Sequence, residues 1–347
     1  MNGFERISQT LAGQATDRVP VMLHNFMFAA RDAGMTMQEF RSDPKNMAKA
    51  FIDASRKYGL DGILTDMDTA LEAHALGAKI HSPDDLPAKV IVPAANDLDE
   101  VIELADAEKL KTNERIQIYL DAIRLIHQET AGELFLRGNA DQGTFSVAAA
   151  VYGLTNLMID LTDAKKEEKI FRLLERCYEV HLAFHLMVKD AGADMTSFGD
   201  SMASPDLISP KMYRKFAAPF QKRLASDLAK RGIQTVCHIC GKTDLILKEI
   251  AENHFAGVEI DYKTNLSAVA ETMKNVSVVF GIIDPSGVFC RGRQADVVSA
   301  TQTVLQQFPD GGLVIGAGCA LPAETPADNI RAFVQTVRES EKLKTKS

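Results

Sequence analysis

The chain reads as an α/β protein, a closed parallel (β/α)8 (TIM) barrel with an N-terminal helical extension, in one domain over residues 1–347. Three observations predict this. Eight short runs of β-branched and apolar residues alternate with helical stretches, as in a parallel barrel, where each crossover carries a helix. A polar residue follows nearly every run, as expected if the strand ends ring one mouth. No Gly-x-Gly-x-x-Gly fingerprint is present, which counts against the rival, an open doubly wound sheet.

The elements follow in order. Residues 1–16 form a leading helix. Val19–Leu23 is a first strand, with Pro20 near its start, where a missing N–H is tolerated, and it leads to His24. Phe26, Met27 and Phe28 suit core packing or an apolar pocket wall. Pro44–Tyr58 is a helix capped by Ser42 or Asp43, with Pro in its first turn and Met47, Phe51, Ile52 and Tyr58 on one face. Gly62–Thr65 is the second strand and ends at Asp66. Residues 81–112, with Pro87 and Pro93, form an irregular excursion. Glu114–Glu129 is helical, and Leu134–Gly138 is the third strand, before Asn139 and Asp141. Thr162 caps a long helix running to Val188. Met195–Phe198 is the fourth strand, with Asp200 just past its end, and Ser209-Pro210 opens the next helix. Thr235–Cys237, Gly257–Ile260, Val276–Phe280 and Leu313–Ala317 are strands five to eight; Asp261, Asp284 and Cys319 follow the last three. A helix over Pro326–Lys342 ends the series.

The composition, 46% hydrophobic and 25% charged, is that of an ordinary globular protein, and no apolar run approaches the ~20 residues of a membrane span. The N-terminus has no apolar core of a signal peptide, so a cytoplasmic protein without a membrane partner is expected. A net charge of −8 with no Lys/Arg block speaks against nucleic acid. Five cysteines without a pairing pattern point to thiols or metal ligands.

Thr235-Val-Cys-His-Ile-Cys-Gly241 carries the sharpest chemistry. Residues two apart on an extended backbone face the same side, so His238 and Cys240 can converge on one point. Such donors suit Zn2+, which needs at least a third protein ligand; Cys319, in a Gly-Ala-Gly-Cys turn after strand eight, is the candidate. Cys237 should face the opposite side. Cys177, His181 and His185 share one helical face, but no Glu accompanies the two histidines as in zinc-protease helices, and they read as packing. The mouth would also collect His24, Asp66, Asp141, Asp200, Asp261 and Asp284. Service as helix caps and turn formers explains some of these aspartates equally well.

Several segments together resemble the uroporphyrinogen decarboxylase superfamily. They are Asp17-Arg18-Val19-Pro20, Gly138–Gly153, Ser209-Pro210-Lys211-Met212-Tyr213 with Phe216 and Pro219, Gly281-Ile-Ile-Asp284-Pro285, and Gly318-Cys-Ala-Leu-Pro322. Within it the chain is similar to the zinc-dependent corrinoid methyltransferases, of the methylcobamide:coenzyme M methyltransferase kind, whose His-x-Cys plus distant Cys maps onto His238, Cys240 and Cys319. The arginine-rich segment with which decarboxylases grip tetrapyrrole carboxylates is missing after Pro20, and their closing Gly-His-Gly is Gly318-Cys319-Ala320 here. The resemblance implies Zn2+, methyl transfer between a corrinoid (cobalamin) and a small thiol, ether or amine, and an acid near the metal, for which Asp200 is the candidate. No Asp-x-His-x-x-Gly corrinoid motif occurs, so a partner protein would carry the cobalamin. The alternative is a metal-free carboxy-lyase using Asp66, which corresponds to the decarboxylases' catalytic aspartate.

Overall fold

Strands in this chain are short, and each is followed by a helix that returns over the sheet. The computed structural model describes residues 1–344; residues 345–347, included in the single-domain expectation, lie outside the described residues. The strands are β1 (Gly62–Thr65), β2 (Lys79–His81), β3 (Lys89–Val92), β4 (Phe135–Gln142), β5 (Met195–Gly199), β6 (Thr235–Ile239), β7 (Gly257–Ile260), β8 (Val278–Ile283) and β9 (Leu313–Ala317). Seven of them pair in parallel in the order β1-β4-β5-β6-β7-β8-β9, and the sheet curls into a half-barrel. Helices such as Pro44–Tyr58, Glu114–Thr130 and Glu167–Asp190 cover the outer face.

The expected first strand at Val19–Leu23 is instead a single parallel bridge from Val21 to Ile315. Pro20 has no N–H and only accepts, from Ile315 N at 2.9 Å; Met22 N donates to Ile315 O at 3.1 Å and Asp61 N to Val21 O at 2.9 Å. The Val21 N–H goes to the Asp61 carboxylate at 2.7 Å rather than to a neighbouring carbonyl. The segment thus touches β9 on one side and the chain entering β1 on the other, while the regular ladder ends at seven strands.

Asp17-Arg18 finds its reason here. Asp61, almost fully buried, receives Arg6 Nη1 at 2.5 Å and Arg18 at 2.6 Å, while Asp17 receives Arg6 Nε at 2.6 Å. The leading helix, Gly3–Leu11, is thereby tied to the sheet's N-terminal end.

Several expectations fail in detail: the leading helix stops at Leu11 rather than at residue 16, and β4 runs on to Gln142, so Asn139 and Asp141 lie within the strand and not after it. Residues 81–112 are not wholly irregular: β2 and β3 pair as an antiparallel hairpin, and Leu98–Leu104 and Glu108–Thr112 are short helices. Thr162 does not cap the long helix, which starts at Glu167; its hydroxyl donates to Ile159 O, closing the preceding turn. Among the described residues no helix is long and apolar enough to cross a membrane.

Alternation along the strands separates two compartments. Ile63, Leu136, Cys237, Val258, Val279 and Ile315 belong to the large core shared with the helices. Leu64, Phe135, Met195, Val236, Val278, Phe280 and Val314 pack with Met22 and Ile7 in a second cluster. Two residues further along the same strand faces stand Asp66, Arg137, Ser197 and His238, so this inner row turns polar towards the C-terminal ends.

Candidate metal centre

Extended backbone carries His238 and Cys240 onto the same side, and the chain leaves β6 between them. His238 Nε2 lies 2.9 Å from Cys240 Sγ, and Cys240 Sγ lies 3.8 Å from Cys319 Sγ. Among the described residues, these three form the group whose ligand atoms all lie within 4.8 Å of one another. Cys319 arrives from β9, three strands away in the sheet, on a turn whose Gly318 touches the ends of β7 and β8. A Cβ at 318 would stand 2.7 Å from Ile260 O and 3.0 Å from Tyr262 N, so only glycine allows the turn this close. Beneath it Ile282 holds φ at 90°, a conformation rare for a β-branched residue.

The donor set fits zinc. Tetrahedral Zn2+ with ~2.3 Å bonds to sulfur separates two thiolates by ~3.8 Å, and the sulfurs stand at that distance. The His238–Cys240 approach of 2.9 Å is a hydrogen-bond contact, shorter than the ~3.5 Å such a site needs, so the two donor atoms must part by a few tenths of an ångström to share an ion. His238 Nδ1 lies 3.0 Å from the Glu259 carbonyl oxygen, so Nδ1 carries the hydrogen and Nε2 is directed towards the sulfurs.

Electrostatics favour a thiolate before any metal binds. The Cys319 thiol, and then the His238 charge, hold Cys240 down to about 3 against the effect of burial, while Cys319 is pushed up by hydrogen bonding to the Cys240 thiolate, by burial and by that thiolate's charge. Burial would lower His238, but the Cys240 thiolate and Glu259 carry it up to about 10.

Below this group runs a buried chain of charges. His24 Nε2 lies 2.6 Å from Asp66 Oδ2, and its Nδ1 is 3.7 Å from Glu259 Oε1. Arg137 Nη1 donates to Glu259 Oε2 at 2.6 Å and its guanidinium stands over the Phe280 ring. Burial opposes charge on His24, yet Asp66 and Glu259 raise it to about 9; Glu259, despite burial, is held below the usual carboxylate range by Arg137 and the two histidines. Glu259 and Arg137 escaped the sequence reading because they sit inside strands, where a residue reads as core; a charged residue in the middle of an apolar strand was the available signal.

A model of the family described as uroporphyrinogen decarboxylase (URO-D) matches residues 2–340. The chain belongs to this family. Among its relatives, methylcobamide:CoM methyltransferase MtbA of Methanosarcina acetivorans is 26% identical over 345 residues, covering 96% of this chain and 97% of the relative. Methylcobamide:CoM methyltransferase MtaA of Methanosarcina barkeri is 26% identical over 343 residues, covering 95% of each. A solved methyltransferase from Methanosarcina mazei, 23% identical, superposes with a TM-score of 0.89 over 98% of this chain and 99% of its own, so the fold is shared. The expected enzyme class, a methyltransferase, accords with these names.

The other candidates within this family fold are sorted by what they touch. Asp66 stands at the mouth, bound to His24. Asp200 lies outside the three-ligand group: it is fully buried, with Oδ1 receiving Ser146 N at 3.0 Å and Ser146 Oγ at 2.7 Å, and Oδ2 receiving Gln221 Nε2 at 2.8 Å. Asp141, with φ at 56°, accepts from Glu72 N. Asp261 takes Gly241 N and Lys263 N, and Asp284 caps Pro285–Cys290, so both serve as turn and cap residues. Cys237 faces the helix layer, as alternation requires. Cys177, His181 and His185 are buried in the core, but the histidines are also polar links, running from Glu72 through His181 and His185 to Thr196. Phe26 and Phe28 are buried in the core.

Proposed function

We propose that the chain is a cytoplasmic, zinc-dependent methyltransferase that moves a methyl group between a corrinoid carried by a partner protein and a small thiol, ether or amine. The observation that carries this reading is the convergence of His238 Nε2, Cys240 Sγ and Cys319 Sγ. The names of the relatives support the reaction class.

His238, Cys240 and Cys319 would hold Zn2+, which when bound would supply Lewis-acid chemistry, favouring the thiolate of a thiol substrate or polarising a leaving oxygen or nitrogen. His238 presents Nε2 because its other nitrogen is tied to the Glu259 carbonyl. Cys240 and Cys319 each give up a proton to become ligands, and the low position of Cys240 means that one is already lost near neutral pH. His24, between Asp66 and Glu259, keeps a positive charge below the ligand set and balances the carboxylates there. The proton on the 2.6 Å His24–Asp66 contact, at the same mouth, is the one this pair would make available to a substrate.

The test is zinc content and methyl transfer to and from free cobalamin, followed in the cobalamin spectrum, for the parent and Cys319→Ser. The expected result is one zinc in the parent, with zinc and transfer rate both lost in the variant. A variant that keeps a full zinc equivalent and the parent rate would refute the assignment. The metal-free carboxy-lyase using Asp66 predicts no zinc in either protein.

A further inference from the structure

We infer that Ser201 is a positioning residue for this centre, setting the electron density of Cys240 through a hydrogen bond to its sulfur. The inference rests on reading His238, Cys240 and Cys319 as metal ligands. Three groups approach Cys240 Sγ: His238 Nε2 at 2.9 Å, Cys319 Sγ at 3.8 Å and Ser201 Oγ at 3.2 Å, the last as donor. The first two turn to a metal when one binds, and their proton is lost. Of the three, Ser201 alone still has a hydrogen to donate.

The hydroxyl is held in place. Ser201 begins a single turn of 3-10 helix after β5, and the residue before it, Asp200, is fixed from both sides. Asp200 N donates to His238 O at 2.7 Å, which sets the turn against β6. Its carboxylate is gripped by Ser146 and Gln221, and Ser146 Oγ also accepts from Met202 N at 3.0 Å. Gly143 leaves the room: a Cβ there would stand 2.5 Å from the Asp200 carboxylate carbon. Asp200 therefore acts through Ser201, anchoring the turn that carries the hydroxyl.

A hydrogen bond to a metal-bound thiolate withdraws charge from the sulfur, which leaves the metal a stronger Lewis acid. Without the donor, the sulfur binds as a more electron-rich ligand on a less fixed loop.

The experiment uses the full chain loaded with Co2+, whose thiolate-to-metal charge-transfer bands report on the sulfurs, in the parent, Ser201→Ala and Ser201→Thr. The expected result is a shift to longer wavelength in Ser201→Ala, with Co2+ affinity weakened on the order of tenfold, and return to the parent values in Ser201→Thr. A parental band and affinity in Ser201→Ala, or a Thr variant that behaves like Ala, overturns the inference while leaving the ligand assignment intact. A parent protein that takes up no Co2+ into thiolate coordination removes both.

Discussion

The concave face of the sheet holds two layers built from the same strands. At the N-terminal end, Leu64, Phe135, Met195, Val236 and Val314 pack with Ile7 and Met22 in an apolar floor. Two residues further along, Asp66, Arg137 and His238, with Glu259 and His24, form a buried charged layer joined by ion pairs and hydrogen bonds. The floor is stabilised by removing apolar surface from water and needs only shape. The upper layer costs desolvation that pairing must offset, and such a layer is retained where its charges do work. Stability thus resides mainly below and chemistry above, with Arg137 over Phe280 at the boundary.

The strongest challenge to that division comes from an ion-paired carboxylate at the N-terminal end of the sheet, beside the apolar floor. Asp61→Ala removes a buried carboxylate shared by Arg6 and Arg18 and by the Val21 N–H. It should cost ~3–5 kcal/mol in urea unfolding, since two guanidiniums lose their partner, while folded protein still binds one zinc. Loss of zinc with unchanged stability would reverse the roles of the two layers.

A smaller effect tests the charged layer. In the metal-free protein His24 keeps its proton up to about 9, whereas the unfolded chain releases it near ~6.5. A raised folded value means that this contribution is complete below about pH 6.5 and disappears as pH rises through about 9, a loss on the order of 1–3 kcal/mol. Unfolding free energies measured between pH 6 and 10 should fall less steeply in His24→Gln than in the parent, the slope that remains belonging to His238, which is raised to about 10; equal slopes would count against a charged His24.

Smallest is the effect of Gly318→Ala, whose Cβ would meet Ile260 O at 2.7 Å. The turn bearing Cys319 must shift, and zinc affinity by competitive chelation should fall roughly tenfold, about 1.4 kcal/mol, with little change in thermal midpoint. A large drop in midpoint with unaltered affinity would place Gly318 among the residues that hold the fold.

Much of this was written along the chain, because strand alternation is a local rule. Gly62–Thr65, Gly257–Ile260 and Leu313–Ala317 are strands over the expected residues, and His238 and Cys240 share a side while Cys237 opposes them. Local rules did not reach the first segment, where the side chain of Asp61 replaces a ladder partner, nor the long helix, which begins at Glu167 and not at Thr162. The sequence by itself determined the alternation of strand and helix, the pairing of His238 with Cys240, and the family. Only the tertiary structure decided that Cys319 meets them across two intervening strands, that Glu259 orients His238, and that Asp200 faces Ser146 and Gln221. Those contacts join residues from 21 to 79 positions apart, and their distances follow from the curvature of the sheet and the close approach at Gly318, which no local pattern records.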